Sequence, residues 1–273
     1  MTSVTSKKVK SAFFGLTALL LCTGFQGTNP PDQPPVSVYG HVIQALVWYQ
    51  TSAECRALYY QAYNLARMRL DQDLKQKSHT RKRAIVFDID ETILDDSPHS
   101  AMLLKANKLF PYRYDEWINE AKEPALPGAL EFAKYAAGHG VELFYVSNRT
   151  TNMMEATLRN LRTAGFPQTV EDHVLLMSDD GSKESRRNAV AASHDIILLL
   201  GDNLNDLSNV FERKDVGNRS AEVDKNAELF GSKYIVLPNP VYGAWESAVY
   251  QNKSGLTQEQ MAAMRLEALK AFK

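Results

Sequence analysis

A short apolar run that stops at acidic residues constrains the fold of this chain more than any other feature. Residues 84–94 read AIVFDIDETIL, so an apolar stretch runs directly into Asp88 and Asp90. A run of this length with a turn-like end is typical of a fully buried strand in a parallel sheet. Ligands of open α/β sheets bind just beyond the carboxyl ends of the strands. Because Asp88 and Asp90 are two positions apart on an extended segment, we expect both carboxylates to point into one site.

A second apolar run repeats this design. Residues 196–200 read IILLL, and Gly201, Asp202 and Asp206 follow them. If the two strand ends lie side by side, they bring four carboxylates around one point, and the simplest compensation for their repulsion is a hard divalent cation such as Mg²⁺. Two solvated acidic turns are the alternative, which we favour less because both turns follow buried-strand patterns.

Two smaller signals lie between these runs. Residues 141–146 (VELFYV) predict a strand that ends at Ser147 and Asn148, and Lys183 follows the apolar run 174–177. Together with the helical patterns between them, the four strand patterns predict an α/β fold with a Rossmann-like parallel sheet and flanking helices.

The order of these motifs resembles a known family. DxDxT, then Ser or Thr at a strand end, then Lys, then GDxxxD is the pattern of haloacid-dehalogenase-type (HAD) phosphohydrolases. The segments FDIDETIL and LLLGDNLNDL are similar to those of class C nonspecific acid phosphatases, which are bacterial surface enzymes that are often lipoproteins and include surface 5′-nucleotidases. The resemblance runs from about residue 39 to 250. It implies the HAD fold, with the insertion at about 95–126 acting as a small helical cap over the site.

Three residues depart from the usual pattern of the family. Asp96 stands where Asn or Thr is usual, His99 where Tyr is usual, and Leu207 where Phe is usual. These positions flank the site, so the departures bear on substrate fit more than on reaction type.

The motifs suit phosphoryl transfer, which depends on positioning and charge stabilisation. We assign Asp88 as the nucleophile that forms an aspartyl-phosphate. Asp90 is the general acid and then the general base. Lys183 and Ser147 hold the phosphoryl oxygens. The metal ligands are Asp88, Asp202 and the backbone carbonyl of Asp90, with Mg²⁺ as cofactor.

Other residues are assigned supporting or substrate-binding roles. Asp206 orients Lys183 or a metal-bound water, and Thr92 braces the loop. The resemblance implies that phosphomonoesters, particularly nucleoside monophosphates, are the substrates. Asn148, Trp117 and Tyr242 are the candidate substrate contacts, since aromatic rings can stack a nucleobase.

An Asp two positions after the nucleophile favours rapid hydrolysis, so Asp90 indicates a phosphoric monoester hydrolase rather than an ion pump. Two alternatives stay open. One is a surface binding lipoprotein with weak catalysis on the same fold. The other is a phosphotransferase that passes the phosphoryl group to an alcohol.

The first 24 residues have the pattern of a secretory signal. A basic start precedes the apolar run 12–21, which is too short to span a bilayer comfortably. The segment resembles a bacterial lipoprotein signal that ends at Cys22, although Leu21 is unusual there, and ordinary cleavage after Gly24 is the alternative. Pro-rich residues 25–38 predict a tether. We therefore expect an exported enzyme domain over 39–273, in the outer membrane or periplasm of a bacterium.

The charge of the chain bears on its partners. Its 31 basic and 32 acidic residues give a formal net charge of -1, which predicts no nucleic-acid polymer as a partner. Small phosphomonoesters and, through lipidated Cys22, the membrane are the expected partners. The sequence leaves the oligomeric state open, with a homodimer among the options.

Overall fold

The computed structural model describes residues 40–76, 79–178 and 181–272. All of them belong to one unit, residues 37–273. The predicted signal segment 1–24 with Cys22 and the predicted tether 25–38 lie outside the described residues, so both stay predictions. Among the described residues, no helix combines the length and apolar character needed to cross a membrane.

Five parallel strands form one sheet within the described residues. They are β1 (Lys82–Phe87), β2 (Glu142–Thr150), β3 (Val174–Met177), β4 (His194–Gly201) and β5 (Tyr234–Val236). Their order in the sheet is β3-β2-β1-β4-β5. The central strand β1 pairs with β2 and β4, which confirms the predicted α/β fold with a parallel sheet.

Strand β2 is longer than the sequence predicted. It continues to Thr150, because Thr150 still pairs with Met177 of β3. Ser147 and Asn148 therefore lie within the strand rather than after it.

Helices cover both faces of the sheet, as a parallel sheet requires. On one face, Ile85 and Phe87 pack into a core that includes Leu70 of α2 and Phe132 of α5. On the other face, Ala84 and Val86 pack with Val190 of α7. The alternation along β1 explains why its apolar run is unbroken, since side chains on both faces are buried. The helices of the described residues, apart from short 3₁₀ turns, are α1 (Ile43–Thr51), α2 (Ala53–Leu74), α3 (Ser97–Ala106), α4 (Tyr114–Glu120), α5 (Ala129–Gly138), α6 (Met154–Ala164), α7 (Glu184–Ser193), α8 (Leu204–Leu207), α9 (Val216–Lys225), α10 (Ala244–Val249) and α11 (Gln258–Glu267).

The insertion at about 95–126 contains the two short helices α3 and α4. A bridge between Leu94 and Ala125 closes the base of this insertion. Ile118 of α4 is buried against Met153 and Ala156, so the insertion is fixed to the start of α6. This arrangement places α3 and α4 at the carboxyl end of β1.

Candidate active site

The carboxyl ends of β1 and β4 bring three carboxylates together. Asp88 follows β1 directly, and its backbone N–H donates to the carbonyl of Leu200 in β4 at 2.9 Å. One carboxylate oxygen from each of Asp88, Asp202 and Asp206 lies within 4.8 Å of the other two. The adjacent strands thus hold this carboxylate cluster in place without any long loop.

The turn after β4 directs Asp206 back toward the strand ends. Asp206 accepts a hydrogen bond from the backbone N–H of Asn203 at 2.9 Å, which caps the start of α8. A Cβ atom at Gly201 would collide with the Asp206 side chain. Only glycine at position 201 allows this close approach.

Lys183 lies between two members of the carboxylate cluster. Its ammonium pairs with Asp88, and its Nζ is 2.7 Å from Oδ1 of Asp206. Only 6% of the Lys183 side chain is exposed. Burial disfavours the ammonium, but Asp206 and Asp88 outweigh burial and raise the pKa of Lys183, so the residue keeps its charge.

The carboxylates themselves are costly to ionise together. Burial raises the pKa of Asp88 to about 6, with Lys183 opposing the shift and Asp206 adding to it. Burial, followed by the charges of Asp206 and Asp88, raises the pKa of Asp202 well above its usual range. A metal cation bound to Asp88 and Asp202 would lower both pKa values and keep both carboxylates ionised.

Two neutral donors orient Asp202. Asn239 Nδ2 donates to Asp202 Oδ2 at 2.8 Å. Thr92 Oγ1 accepts from the Asp202 N–H at 3.1 Å and lies 3.3 Å from Asp202 Oδ1 and 3.2 Å from Asp88 Oδ2. Since a hydroxyl has one proton, Thr92 can donate to only one of the two carboxylates at a time.

The side chain of Asp90 belongs to a different group of residues. Arg149 binds it through two nitrogens, with Nη2 2.6 Å from Oδ1 and Nε 3.2 Å from Oδ2. The same Nη2 donates to Glu123. Ser147 Oγ lies 3.3 Å from Asp90 Oδ2 and accepts from the Arg149 N–H at 3.0 Å. Asp90 is therefore held in a fixed orientation beside the carboxylate cluster.

Two further acids lie next to Asp90. Oxygens of Asp90, Asp96 and Glu123 all lie within 4.8 Å of one another. Burial raises the pKa of Glu123 to about 7 against the opposing charge of Arg149, and its Oε1 has no hydrogen-bond partner among the described residues. Burial and then the charges of Asp90 and Glu123 raise the pKa of Asp96 well above its usual range.

A cavity of about 470 Å³ opens above these residues. This volume suits a small ligand. Tyr242 and Asn148 lie in its wall, whereas Trp117 and Ser147 are not among the described residues that line it. Trp117 contacts a residue of the wall, since its Nε1 donates to Asp96 Oδ1 at 2.5 Å. The wall consists of Asp88, Asp90, Asp96, His99, Ser100, Leu103, Phe110, Tyr114, Asn148, Arg149, Lys183, Asp202, Asn203, Asp206, Tyr242, Gly243, Glu246 and Ser247.

Tyr242 is held in place by Glu91, an acid that the sequence did not identify as part of the site. Its hydroxyl donates to Glu91 Oε2, while the backbone carbonyl of Glu91 accepts from Tyr59 at 2.6 Å. The ring of Tyr242 is thereby connected to helix α2 through Glu91.

The carboxylate cluster has the donor set of a hard-metal site. With Lys183 paired, the three carboxylates keep a formal charge of −2. All candidate ligands are oxygens, which Mg²⁺ prefers. In contrast, the group around Asp90 already contains the Arg149 guanidinium, so a metal ion there would compete with a buried cation.

Sequence reasoning missed Arg149, Glu123 and Asn239. Arg149 had a usable signal, because it is two positions after Ser147 on a strand and so points to the same side. Glu123 and Asn239 come from loops whose course follows from tertiary packing, and no local pattern marks them.

The family model described as "HAD superfamily, subfamily IIIB (Acid phosphatase)" matches residues 25–245. The structure of the class C acid phosphatase from Bacillus anthracis is similar to this chain with a TM-score of 0.84 and 43% identity, over 87% of this chain and 100% of that one. A second structure of the same enzyme, with tungstate bound, is similar to the same extent.

Curated plant proteins are more distant relatives. The stem 28 kDa glycoprotein of Glycine max is 28% identical over 59% of this chain and 60% of its own length. Acid phosphatase 1 of Solanum lycopersicum is 30% identical over 58% of this chain and 57% of its own length. The chain thus spans less than two thirds of the length of either protein.

Proposed function

The chain belongs to the acid phosphatases of subfamily IIIB of the HAD superfamily, and on this premise we propose that it hydrolyses phosphomonoesters through an aspartyl-phosphate on Asp88. One observation carries the proposal. Asp88 and Lys183 form a buried ion pair at the end of the central strand, beside Asp202 on one side and Asp90 on the other. The proposed nucleophile, metal ligand and proton carrier, together with the Lys183 cation, therefore line one cavity.

Mg²⁺ is the proposed cofactor, with Asp88, Asp202 and the backbone carbonyl of Asp90 as the protein groups that would hold it. Asp206 lies in the same cluster and is already paired with Lys183. When bound, the metal supplies positive charge that offsets the repulsion between a carboxylate and a phosphate dianion.

The chain's own residues account for both halves of the reaction. A carboxylate oxygen of Asp88 attacks phosphorus, and the bond to the leaving oxygen breaks as Asp90 gives that oxygen a proton. Asp90 then accepts a proton from the water that attacks the phosphoryl group, which releases inorganic phosphate and restores Asp88. Lys183, which lines the cavity, would stabilise the phosphoryl oxygens during both steps. The sequence predicts the same role for Ser147, but its hydroxyl contacts Asp90 and it is not among the described residues that line the cavity, so it would act through Asp90.

Nucleoside monophosphates are proposed substrates because aromatic side chains lie near the site. Tyr242 lines the cavity, and Trp117 contacts the cavity-lining Asp96. Tungstate resembles phosphate in shape and charge, and its binding to the relative from Bacillus anthracis supports an oxyanion site here.

The test is a panel of phosphomonoesters assayed with Mg²⁺, together with acid quenching to trap radiolabelled phosphate on the protein. Wild type should hydrolyse several esters and retain label, and Asp88→Asn should do neither while melting near the wild-type temperature. Normal turnover by purified Asp88→Asn would refute the role of Asp88.

Export and lipid anchoring stay proposals that rest on the sequence alone. If Cys22 is lipidated, palmitate fed to expressing bacteria should label the wild type and not Cys22→Ala. Equal labelling of both would exclude Cys22 as the anchor, and no labelling of the wild type would favour cleavage after Gly24.

A further inference from the structure

Asp96 places a carboxyl group without an ion-pair partner among the described residues in the wall of the cavity. The residue is only 5% exposed, yet it lines the cavity. Its Oδ1 accepts a hydrogen bond from Trp117, which is a neutral donor. Among the described residues, the Asp96 side chain makes no other hydrogen bond and no ion pair. Burial holds the pKa of this carboxyl group well above its usual range, so the group ionises most readily when a positive partner lies beside it.

The cations that line the cavity already have partners of their own. Lys183 is paired with Asp88 and Asp206. Arg149 is paired with Asp90 and Glu123. Neither cation lies within ion-pair distance of Asp96, so in its cluster with Asp90 and Glu123 it is the acid that has no ion-pair partner among the described residues.

Another acid of the cavity wall has ion-pair partners of its own. Glu246 also lines the cavity, but His41 and Arg265 lie 3.4 and 3.5 Å from its Oε1. Glu246 therefore has ion-pair partners, whereas Asp96 has none among the described residues. This contrast makes Asp96 the group that a charged ligand would recognise.

The position of Asp96 indicates which part of a ligand it would contact. Oxygens of Asp96 and Asp90 lie within 4.8 Å of each other, and Asp90 is the proposed proton donor to the leaving oxygen. Asp96 therefore lies beside the leaving alcohol rather than beside the phosphoryl group. A positive group joined to the ester oxygen by two carbons can reach Asp96 while that oxygen stays at Asp90.

Aromatic rings complete this side of the cavity. Phe110, Tyr114 and Tyr242 line it, and the first two rings are 5.0 Å apart. Aromatic faces attract ammonium groups, so they favour the same kind of ligand as Asp96 does.

We propose that this cavity selects phosphomonoesters whose leaving alcohol carries an ammonium group two carbons from the ester oxygen. The inference rests on the proposed phosphatase function and narrows its substrate class. Asp96 and the rings around it would bind the ammonium group, and the reacting groups would be unchanged.

The test compares O-phosphoethanolamine with n-propyl phosphate, in which a methyl group replaces the ammonium. The two alcohols differ as leaving groups, so single kcat/KM values are not compared directly. Instead, kcat/KM for O-phosphoethanolamine is divided by kcat/KM for n-propyl phosphate, and this ammonium-to-methyl ratio is compared between variants. Asp96→Asn keeps the acceptor for Trp117 and removes the charge. Asp115→Asn, an exposed acid on α4 outside the cavity, is the matched control.

We expect Asp96→Asn to lower the ammonium-to-methyl ratio by at least about tenfold, the size of one charge-assisted contact. Asp115→Asn should keep the wild-type ratio. A ratio that changes less than about threefold in Asp96→Asn, within the spread of ordinary substitutions, would overturn the proposal.

Binding separates this inference from the proposed function. Calorimetry with 3-aminopropylphosphonate and butylphosphonate measures the same contrast without turnover. Tighter binding of the amino compound by wild type, lost in Asp96→Asn, supports the ammonium site, and equal binding of both compounds overturns it. If no phosphomonoester, including p-nitrophenyl phosphate, is hydrolysed with Mg²⁺, the phosphatase function fails, and the substrate class proposed here fails with it.

Discussion

The guanidinium of Arg149 binds the carboxylate of Asp90 through two nitrogens, at 2.6 Å from Nη2 to Oδ1 and 3.2 Å from Nε to Oδ2. The Arg149 side chain is fully buried. Glu123 pairs with the same Nη2 nitrogen of this guanidinium. The orientation of the proposed proton carrier is therefore set by a buried group that does not need to touch the substrate.

Arg149→Met should destabilise the fold strongly. The change leaves Asp90 and Glu123 facing each other without a cation, and loss of one partner of a buried ion pair costs about 3–5 kcal/mol. Urea unfolding measures the loss, and Arg113→Met, which removes an exposed pair with Glu116, should change the free energy of unfolding by less than about 1 kcal/mol. Equal effects of the two substitutions would contradict the structural importance of Arg149.

The Glu123 carboxyl should make stability depend on pH. Burial raises its pKa from 4.5 to about 7 in the folded state, so the folded protein binds this proton more tightly than the unfolded chain does. The resulting stabilisation is fully present below pH 4.5 and is lost as the pH rises through about 7. In urea unfolding, the free energy of unfolding of the wild type should fall relative to that of Glu123→Gln, by at most about 1.4 kcal/mol per pH unit across this window. Parallel pH profiles of the two proteins would show that Glu123 does not titrate there.

The sequence was sufficient for the parts of the site that directly follow strands. The apolar runs before Asp88 and Asp202 are buried on both faces of the sheet, so their ends had to lie at one edge. Parallel pairing then made the two ends neighbours, which is visible in the contact of Asp88 with Leu200.

The rest of the site depends on packing that no local pattern encodes. Glu123 reaches Arg149 because the insertion closes at the bridge between Leu94 and Ala125, and its position depends on the packing of α4 against α6. Asn239 reaches Asp202 because the chain after β5 turns over the cluster. Both side chains come from loops, whose course depends on the whole fold rather than on neighbouring residues.

Chelation should stop turnover, and Mg²⁺ should restore it. The cluster of Asp88, Asp202 and Asp206 keeps a formal charge of −2 that a divalent cation would offset. Free Mg²⁺ at about 100 times its dissociation constant should stabilise the fold by about 2.7 kcal/mol, visible as a higher melting temperature. The shift should disappear in Asp202→Asn and persist in Asp115→Asn. Activity that survives exhaustive treatment with EDTA would refute metal dependence.

Replacing Asp90 by Asn should affect esters according to their leaving groups. As the proposed acid, Asp90 protonates the departing oxygen, and such proton transfer contributes about 10²–10⁴ in rate. Alkyl and ribosyl phosphates need this proton, so their kcat/KM should fall by about that factor. Aryl phosphates leave without protonation and should lose about tenfold or less.

The measurement is kcat/KM for wild type and Asp90→Asn across a series of esters with graded leaving-group acidity. Asn at position 90 keeps the side-chain volume but weakens the contact with Arg149, so a melting curve must first show that the variant is folded. Asp88→Asn is the control, because loss of the nucleophile should abolish hydrolysis of every ester, whatever its leaving group. A steeper dependence on leaving-group acidity in Asp90→Asn than in wild type identifies Asp90 as the proton donor. A uniform loss would mean that Asp90 acts through the charge or geometry of the site, since only proton donation distinguishes good leaving groups from poor ones.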